Sequence, residues 1–119
     1  MRTLLALMLV GCSGSANTEE PKTPPDPALG ATLYRIHCMV CHQKDGTGRT
    51  SQGVNLGGSF VGKTSVLGQS DATLLSSIKR GKTGATGAMP PWGGVLDAKA
   101  RRDVLAYIRA TFGEKKPSP

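Results

Sequence analysis

The sequence predicts an all-α fold, a small domain of three to four helices joined by long loops. Three segments carry apolar residues at helical spacing, beginning near residues 26, 70 and 97. No segment alternates apolar and polar residues with comparable strength. The stretches 46–68 and 81–95 are rich in glycine and are expected to be loops. Long loops in a small domain are usually functional or packed against a bound group, so this pattern indicates a ligand.

Each predicted helix has a start signal and an apolar face. The first begins at Pro27 with Asp26 as N-cap, and its apolar positions are Leu29, Leu33 and Ile36. The second is capped by Ser70, ends at Arg80 before Gly81, and carries Leu74, Leu75 and Ile78. The third runs from the N-cap Asp97 to Gly113, with an apolar stripe at Val104, Leu105, Ile108 and Phe112. Its solvent side is expected to be Lys99, Arg101, Arg102 and Arg109.

Composition indicates a single domain whose own apolar side chains form only a small core. The chain has 119 residues, and only 4% of them are aromatic, so its core is poor in large side chains. A large buried cofactor would fill that deficit. The formal net charge of +7 favours acidic partners, which include protein surfaces, anionic lipid and nucleic acid.

The first residues predict export and a membrane anchor. An apolar run over residues 4–10 is shorter than the roughly 20 residues that span a bilayer, so residues 1–11 are interpreted as a signal peptide. Its end, Leu9-Val10-Gly11-Cys12, resembles the lipobox of bacterial lipoproteins, in which the cysteine is acylated; an ordinary signal peptide with an incidental cysteine is the alternative. We expect residues 12–27 to form a flexible tether, 28–113 the folded domain and 114–119 a disordered tail.

Residues 37–42 read HCMVCH, which could be a redox pair, half of a zinc site or a covalent haem anchor. Zinc needs about four ligands, and six consecutive residues would not close around it comfortably. A thiol oxidoreductase would place Cys-x-x-Cys after a strand, and no such pattern is present. Cys38-x-x-Cys41-His42 is instead the haem c attachment signature. Its spacing lets two thiols reach the two porphyrin vinyl groups while His42 faces the iron.

Met89 is the predicted sixth ligand of that iron. Met1 and Met8 lie in the leader and Met39 lies between the two cysteines, which leaves Met89 in the sequence GATGAMPPWGG. Pro90 and Pro91 stiffen the backbone behind it and would hold a thioether in place. The alternative is a methionine that fills a gap in the core.

These motifs, in this order, resemble the class I c-type cytochromes, small monohaem electron carriers. The matching pieces are Gly30 and Tyr34, Cys38 to His42, residues 53–56, Met89 with its prolines, and Tyr107 with Ile108. The resemblance implies that the first and last helices cross where Gly30 meets Tyr107. It also implies a backbone carbonyl that receives the N–H of the axial imidazole. Val54 stands where the family often has proline, so its carbonyl is the expected acceptor.

A second motif, GGSFVGKT at residues 57–64, matches the phosphate-binding loop pattern. That chemistry requires a preceding parallel strand, a following helix and carboxylates for Mg²⁺. None of these can be placed in this chain. We therefore predict no nucleotide partner. No nucleic-acid partner is predicted either.

The sequence thus predicts a lipid-anchored monohaem cytochrome on the periplasmic side of a bacterial membrane, carrying single electrons between respiratory or photosynthetic partners. It would not be an enzyme, since iron held by His42 and Met89 has no open position. The basic residues Lys63, Lys79, Arg80 and Lys82 would steer docking onto an acidic partner. Trp92 is expected near the haem, and His37 is interpreted as a bystander. The alternatives are a gas-binding or sensing haem domain and an electron-delivering subunit of a larger redox enzyme.

Overall fold

The computed structural model describes residues 11, 14, 22–84 and 87–114. The elements follow in the order α1 (Pro27–Leu33), a π-helical turn (Tyr34–Cys38), α2 (Met39–His42), a 3₁₀ turn (Val66–Gly68), α3 (Asp71–Arg80), β1 (Lys82–Gly84), β2 (Gly87–Met89) and α4 (Ala98–Phe112). This mostly helical architecture agrees with the predicted fold class. The predicted lipidation site Cys12 lies outside the described residues.

The first helical stretch runs without a break from Pro27 to His42, because the π-helical turn joins α1 to α2. Asp26 is the N-cap, as predicted, and its carboxylate accepts hydrogen bonds from the N–H groups of Ala28 and Leu29. The predicted apolar face is wrong at two of its three positions, since only Leu33 packs against the core. Leu29 and Ile36 are 53% and 62% exposed, and the buried residues are Gly30, Tyr34 and Cys38.

The buried face of α1 is set by its crossing with α4. A Cβ on Gly30 would lie 2.0 Å from the backbone oxygen of Asp103 and 2.9 Å from Cβ of Tyr107. Only a glycine allows the two backbones to approach this closely, which confirms the predicted contact between Gly30 and Tyr107. The main core cluster lies beside this crossing and consists of Tyr34, Cys38, Phe60, Leu96, Val104 and Ile108.

Asp103 supports the same crossing with a buried carboxylate. Its Oδ1 accepts the backbone N–H of Asp26 at 2.7 Å, and its Oδ2 accepts a hydrogen bond from Nζ of Lys99 at 2.7 Å. Burial raises the pKa of Asp103, but the hydrogen bond from the Lys99 ammonium and the Asp26 N–H outweigh burial, so the net pKa is lowered. The carboxylate thereby fixes the start of α1 to the middle of α4.

Helix α3 has the predicted bounds. Ser70 caps it, Leu74 and Ile78 are buried against Leu105 of α4, and Gly81 ends it with φ of +75°. The predicted solvent side of α4 needs a correction at Arg109. Its guanidinium donates to the carbonyls of Leu67 and Gln69 and pairs with Asp71 at 2.6 Å, so it ties the segment before α3 to the last helix.

The segment that the sequence predicted as a loop after Gly81 contains a short hairpin. Strands β1 and β2 pair antiparallel, with Lys82 opposite Met89 and Gly84 opposite Gly87. The prediction missed it because these residues show no alternating pattern. Within the described residues, every helix is too short or too polar to cross a bilayer.

Candidate functional site

The two cysteines of the HCMVCH motif lie on one continuous helix. Cys38 ends the π-helical turn and Cys41 lies in α2, and both are free thiols. Cys38 is 9% exposed, whereas Cys41 is half-buried. Burial, with a smaller contribution from Cys41, raises the pKa of the Cys38 thiol to about 11. Two reduced thiols one helical turn apart, followed directly by an imidazole, are the donor set of a thioether-linked haem.

His42 is held by the backbone of the loop that follows it. Its Nδ1 lies 3.0 Å from the carbonyl oxygen of Gly58, so Nδ1 carries the hydrogen and donates. The neutral ring then keeps a lone pair on Nε2 for a metal. The predicted acceptor, Val54, is wrong: its carbonyl accepts the N–H of Thr50 at 2.9 Å, and its side chain is 54% exposed.

Two loop features that sequence reasoning missed fix the plane of the His42 ring. The Phe60 ring stacks on it with centroids 4.5 Å apart and planes 20° apart. On Gly57, a Cβ would lie 3.1 Å from Cε1 and Nδ1 of His42. Burial lowers the pKa of His42, and the hydrogen bond to Gly58 opposes this. A half-buried, neutral imidazole held on two sides is preorganised as a metal ligand.

The backbone turns sharply just after His42. Gln43 has φ of 65° and ψ of 164°, a conformation that is otherwise almost restricted to glycine. The hydroxyl of Tyr34 donates to the Gln43 carbonyl at 2.7 Å, and the N–H of Gly48 donates to the His42 carbonyl at 3.0 Å. Burial, followed by repulsion from Cys38, raises the pKa of Tyr34, so the hydroxyl stays a donor. The core therefore holds this strained turn in place.

Met89 is the last residue of β2 and is half-buried. It packs against a second apolar cluster, formed by Leu74 and Ile78 of α3 and Leu105 of α4. Its backbone lies directly over the end of α3, since a Cβ on Gly81 would stand 2.5 Å from the Met89 carbonyl oxygen. Met89 is thus placed by α3, on a different cluster from the one that contains Cys38.

Trp92 joins these two clusters, because its side chain packs against both. Its ring lies 5.0 Å from the ring of His37, at an angle of 53°. His37 thus contacts the segment that carries Met89, and its interpretation as a bystander of the haem stays a prediction.

The donor set and the apolar surroundings suit a haem better than zinc. Among the residues that the structure describes, no three His, Cys, Asp or Glu side chains come together as a metal site. Val54 and Leu56 of the loop after His42 are 54% and 41% exposed, which leaves apolar surface for a macrocycle to cover. Cys38, Cys41 and His42 supply two attachment points and one nitrogen ligand.

The remaining sequence motifs lie on the surface. Lys63, Lys79, Arg80 and Lys82 are all exposed. The phosphate-loop pattern at residues 57–64 follows no strand in the described part of the chain except the isolated bridge between Arg49 and Asn55, and this bridge is antiparallel. Two of its glycines instead contact His42, Gly57 through close packing and Gly58 through its carbonyl.

Comparisons with known proteins give the family of this chain. The family model described as cytochrome c oxidase, cbb3-type, subunit III matches residues 25–108. The chain is 29% identical over 90 residues to the cbb3-type cytochrome c oxidase subunit FixP of Bradyrhizobium sp. (strain ORS 278), covering 76% of this chain and 29% of that protein. It is 31% identical over 98 residues to cytochrome c of Gibberella zeae, covering 71% of this chain and 92% of that protein.

A third relative is the cytochrome c subunit of a quinone-dependent alcohol dehydrogenase from Gluconacetobacter polyoxogenes, 30% identical over 95 residues, which cover 74% of this chain and 19% of that protein. The chain thus spans less than a third of the length of its relatives in the oxidase and dehydrogenase. No solved structure matches it. The chain belongs to the cbb3-type subunit III family of class I c-type cytochrome domains, whose members bind one covalently attached haem c.

Proposed function

We propose that this domain carries single electrons with its iron held by His42 and Met89 and its haem attached through Cys38 and Cys41. The observation that carries the proposal is the hydrogen bond from Nδ1 of His42 to the Gly58 carbonyl, 3.0 Å long, which presents Nε2 as a ligand. Iron with histidine and methionine axial ligands exchanges one electron and has no open position for a substrate. The residues of this chain orient the histidine ligand.

The ligand assignment is tested by the visible spectrum of the oxidised holoprotein. Met89→Leu should remove the sulfur-to-iron charge-transfer band. The matched control is Met39→Leu, since Met39 lies between the two cysteines and should leave the band intact. A band that survives in Met89→Leu would refute the sixth ligand. Attachment is tested by the mass of the denatured protein, which should retain the haem in the wild type and lose it when Cys38 and Cys41 are both changed to alanine.

We further propose that a basic surface guides the domain to an acidic partner. Lys63, Lys79, Arg80 and Lys82 are exposed and lie in segments that flank the ligand loops. Attraction between such a surface and an acidic partner raises association rates at low salt. Lys79→Glu should therefore slow electron transfer and flatten its salt dependence. Lys116→Glu makes the same charge change in the C-terminal segment and serves as control; equal effects of the two variants would exclude local steering.

The membrane assignment rests on the residues before the folded domain. We propose that Cys12 is acylated and that the polar segment behind it tethers the domain to the periplasmic face of a membrane. Cys12→Ala expressed with its native leader should release the cytochrome from the membrane fraction. Retention of the Cys12→Ala protein in that fraction would show another anchor.

Two relatives favour a second candidate function. Both the FixP protein and the alcohol dehydrogenase protein are named as subunits, one of an oxidase and one of a dehydrogenase. This domain could accordingly deliver electrons inside a larger redox enzyme. Purification from native membranes separates the two functions, because a subunit would copurify with its enzyme in fixed ratio and a free carrier would not. Gas binding, the other alternative, predicts a prompt spectral change of the ferrous protein under CO.

A further inference from the structure

The contact between His37 and Trp92 connects the haem-attachment helix to the segment that carries Met89. We propose that this pair positions the Met89 thioether and so determines how readily an external ligand displaces it. The inference rests on the proposed function, in which Met89 is an axial ligand. It assigns positioning roles to His37 and Trp92, neither of which ligates the iron.

The hairpin is too weak to hold Met89 by itself. Strands β1 and β2 pair over three residues each, and all of their residues are exposed except the half-buried Met89. An isolated two-stranded hairpin is marginally stable at best in water. Met89 is held instead by its packing on α3 and α4 and by the chain that follows it.

That following chain is fixed to the end of α3. The N–H of Trp92 donates to the carbonyl of Ile78 at 2.9 Å, and the N–H of Gly93 donates to the carbonyl of Lys79 at 3.0 Å. Both carbonyls lie in the last turn of a helix, where intrahelical donors are lacking. Trp92 is therefore the first residue after Met89 with its backbone bonded to α3.

The Trp92 side chain provides the link to the other half of the site. Its ring lies 5.0 Å from the ring of His37, which directly precedes Cys38 in the π-helical turn. Pro90 and Pro91 separate Trp92 from Met89, and their fixed φ angles make this connection stiff. A shift of the Trp92 ring is therefore transmitted to Met89. The contact energy of such a ring pair corresponds to a change of roughly threefold to tenfold in an equilibrium constant, here that for displacement of Met89 from the iron.

The test is a titration of the oxidised holoprotein with imidazole, in which binding is measured by the loss of the sulfur-to-iron band. His37→Ala and Trp92→Ala should each bind imidazole roughly threefold to tenfold more tightly than the wild type. His37→Phe and Trp92→Phe keep a pair of rings and should restore most of the wild-type value. Val95→Ala is the matched control, because Val95 lies in the same segment, is 62% exposed and should leave the affinity unchanged.

The double variant shows whether the two residues act through their contact. His37→Ala with Trp92→Ala should bind imidazole no more tightly than the stronger single variant. Additive effects, or wild-type affinity in both single alanine variants, would overturn the proposal. Amide hydrogen exchange gives a second readout: the Trp92 and Gly93 amides should exchange faster in His37→Ala, although His37 bonds to neither.

The result for Met89→Leu separates this inference from the proposed function. If that variant keeps the charge-transfer band, Met89 is not a ligand and both proposals fail. If it loses the band while His37→Ala and Trp92→Ala bind imidazole like the wild type, only the positioning role fails. His37 is only half-buried, and it belongs to neither core cluster, whereas Trp92 packs against both. His37→Ala should therefore fold even if Trp92→Ala does not.

Discussion

The backbone oxygen of Asp103 occupies the space where a side chain on Gly30 would begin, 2.0 Å from the position of that Cβ. The first and last helices therefore cross at a contact between backbones. The main core cluster contains Tyr34 of the first helical stretch together with Val104 and Ile108 of α4. The helix that carries the attachment cysteines is thus positioned by a residue with no side chain.

Gly30→Ala should destabilise the holoprotein strongly, because α1 and α4 must separate to admit the methyl group. Overpacking of a core typically costs 1–3 kcal/mol, and a backbone clash lies at the upper end, about 3 kcal/mol. Chemical unfolding followed by circular dichroism measures the loss. Gly94→Ala is the control, since nothing lies within 4 Å of a Cβ on Gly94. Equal stability of the two variants would contradict the observed crossing.

The carboxylate of Asp103 should make the stability of the domain depend on pH. Its pKa is lowered in the folded state, so the stabilisation is present above the pKa of the unfolded chain, about 3.9. This stabilisation is lost as the pH falls below that value towards the folded pKa. Asp103→Asn should cost about 1.5–3 kcal/mol at neutral pH, the range for hydrogen bonds to a charged group.

Unfolding titrations between pH 3 and pH 7 check the role of Asp103. The free energy of unfolding of the wild type should fall on acidification below about pH 4 more steeply than that of Asp103→Asn. Parallel curves for the two proteins would exclude Asp103 as the source. Lys99→Gln should reproduce part of the effect, because it removes the cation that bonds to Oδ2 at 2.7 Å.

The parts of the fold that were predicted correctly depend on local chemistry. The caps Asp26, Ser70 and Asp97 accept hydrogen bonds from the first turn of their helices, as their residue types predict. The pairing of Gly30 with Tyr107 followed from a family resemblance. A cap and a family motif each depend on a few residues, so they can be predicted without knowing how distant segments meet.

The parts that were missed depend on how distant segments meet. The acceptor for His42 proved to be Gly58 and not Val54, because two glycines at 57 and 58 let the loop pass close to the ring. Residue spacing cannot tell which of five consecutive loop carbonyls faces an imidazole. The hairpin was missed because its residues show no alternating pattern, and the close contact of Gly81 with the Met89 carbonyl is likewise invisible in the sequence.

Gly57→Ala tests how tightly the loop clamps the axial imidazole. The added Cβ would lie 3.1 Å from Cε1 and Nδ1 of His42, so the ring or the loop must shift by a few tenths of an ångström. We expect a lengthened bond to Gly58 and a lower basicity of the ligand, which should raise the reduction potential. Electrochemistry of the holoprotein measures the shift. Gly68→Ala, which meets nothing within 4 Å, should leave the potential unchanged.

The strained turn after His42 gives a variant that should stabilise the protein. Gln43 has φ of 65° and ψ of 164°, a region whose cost for a non-glycine residue is about 1–3 kcal/mol. Gln43→Gly removes this strain but loses the side-chain hydrogen bond to Val40, 3.1 Å long, so we expect a net gain of about 1 kcal/mol. Thermal unfolding of the holoprotein measures it.

Tyr34→Phe should act in the opposite direction at the same turn. Removal of the hydroxyl leaves the Gln43 carbonyl without its 2.7 Å hydrogen bond, which should cost about 1–2 kcal/mol. If the bond restrains a strained backbone, the loss should be smaller when residue 43 is glycine, because that backbone is then relaxed. A double-mutant cycle of Tyr34→Phe and Gln43→Gly measures this coupling. Additive free energies would show that Tyr34 stabilises the core without restraining the turn that follows His42.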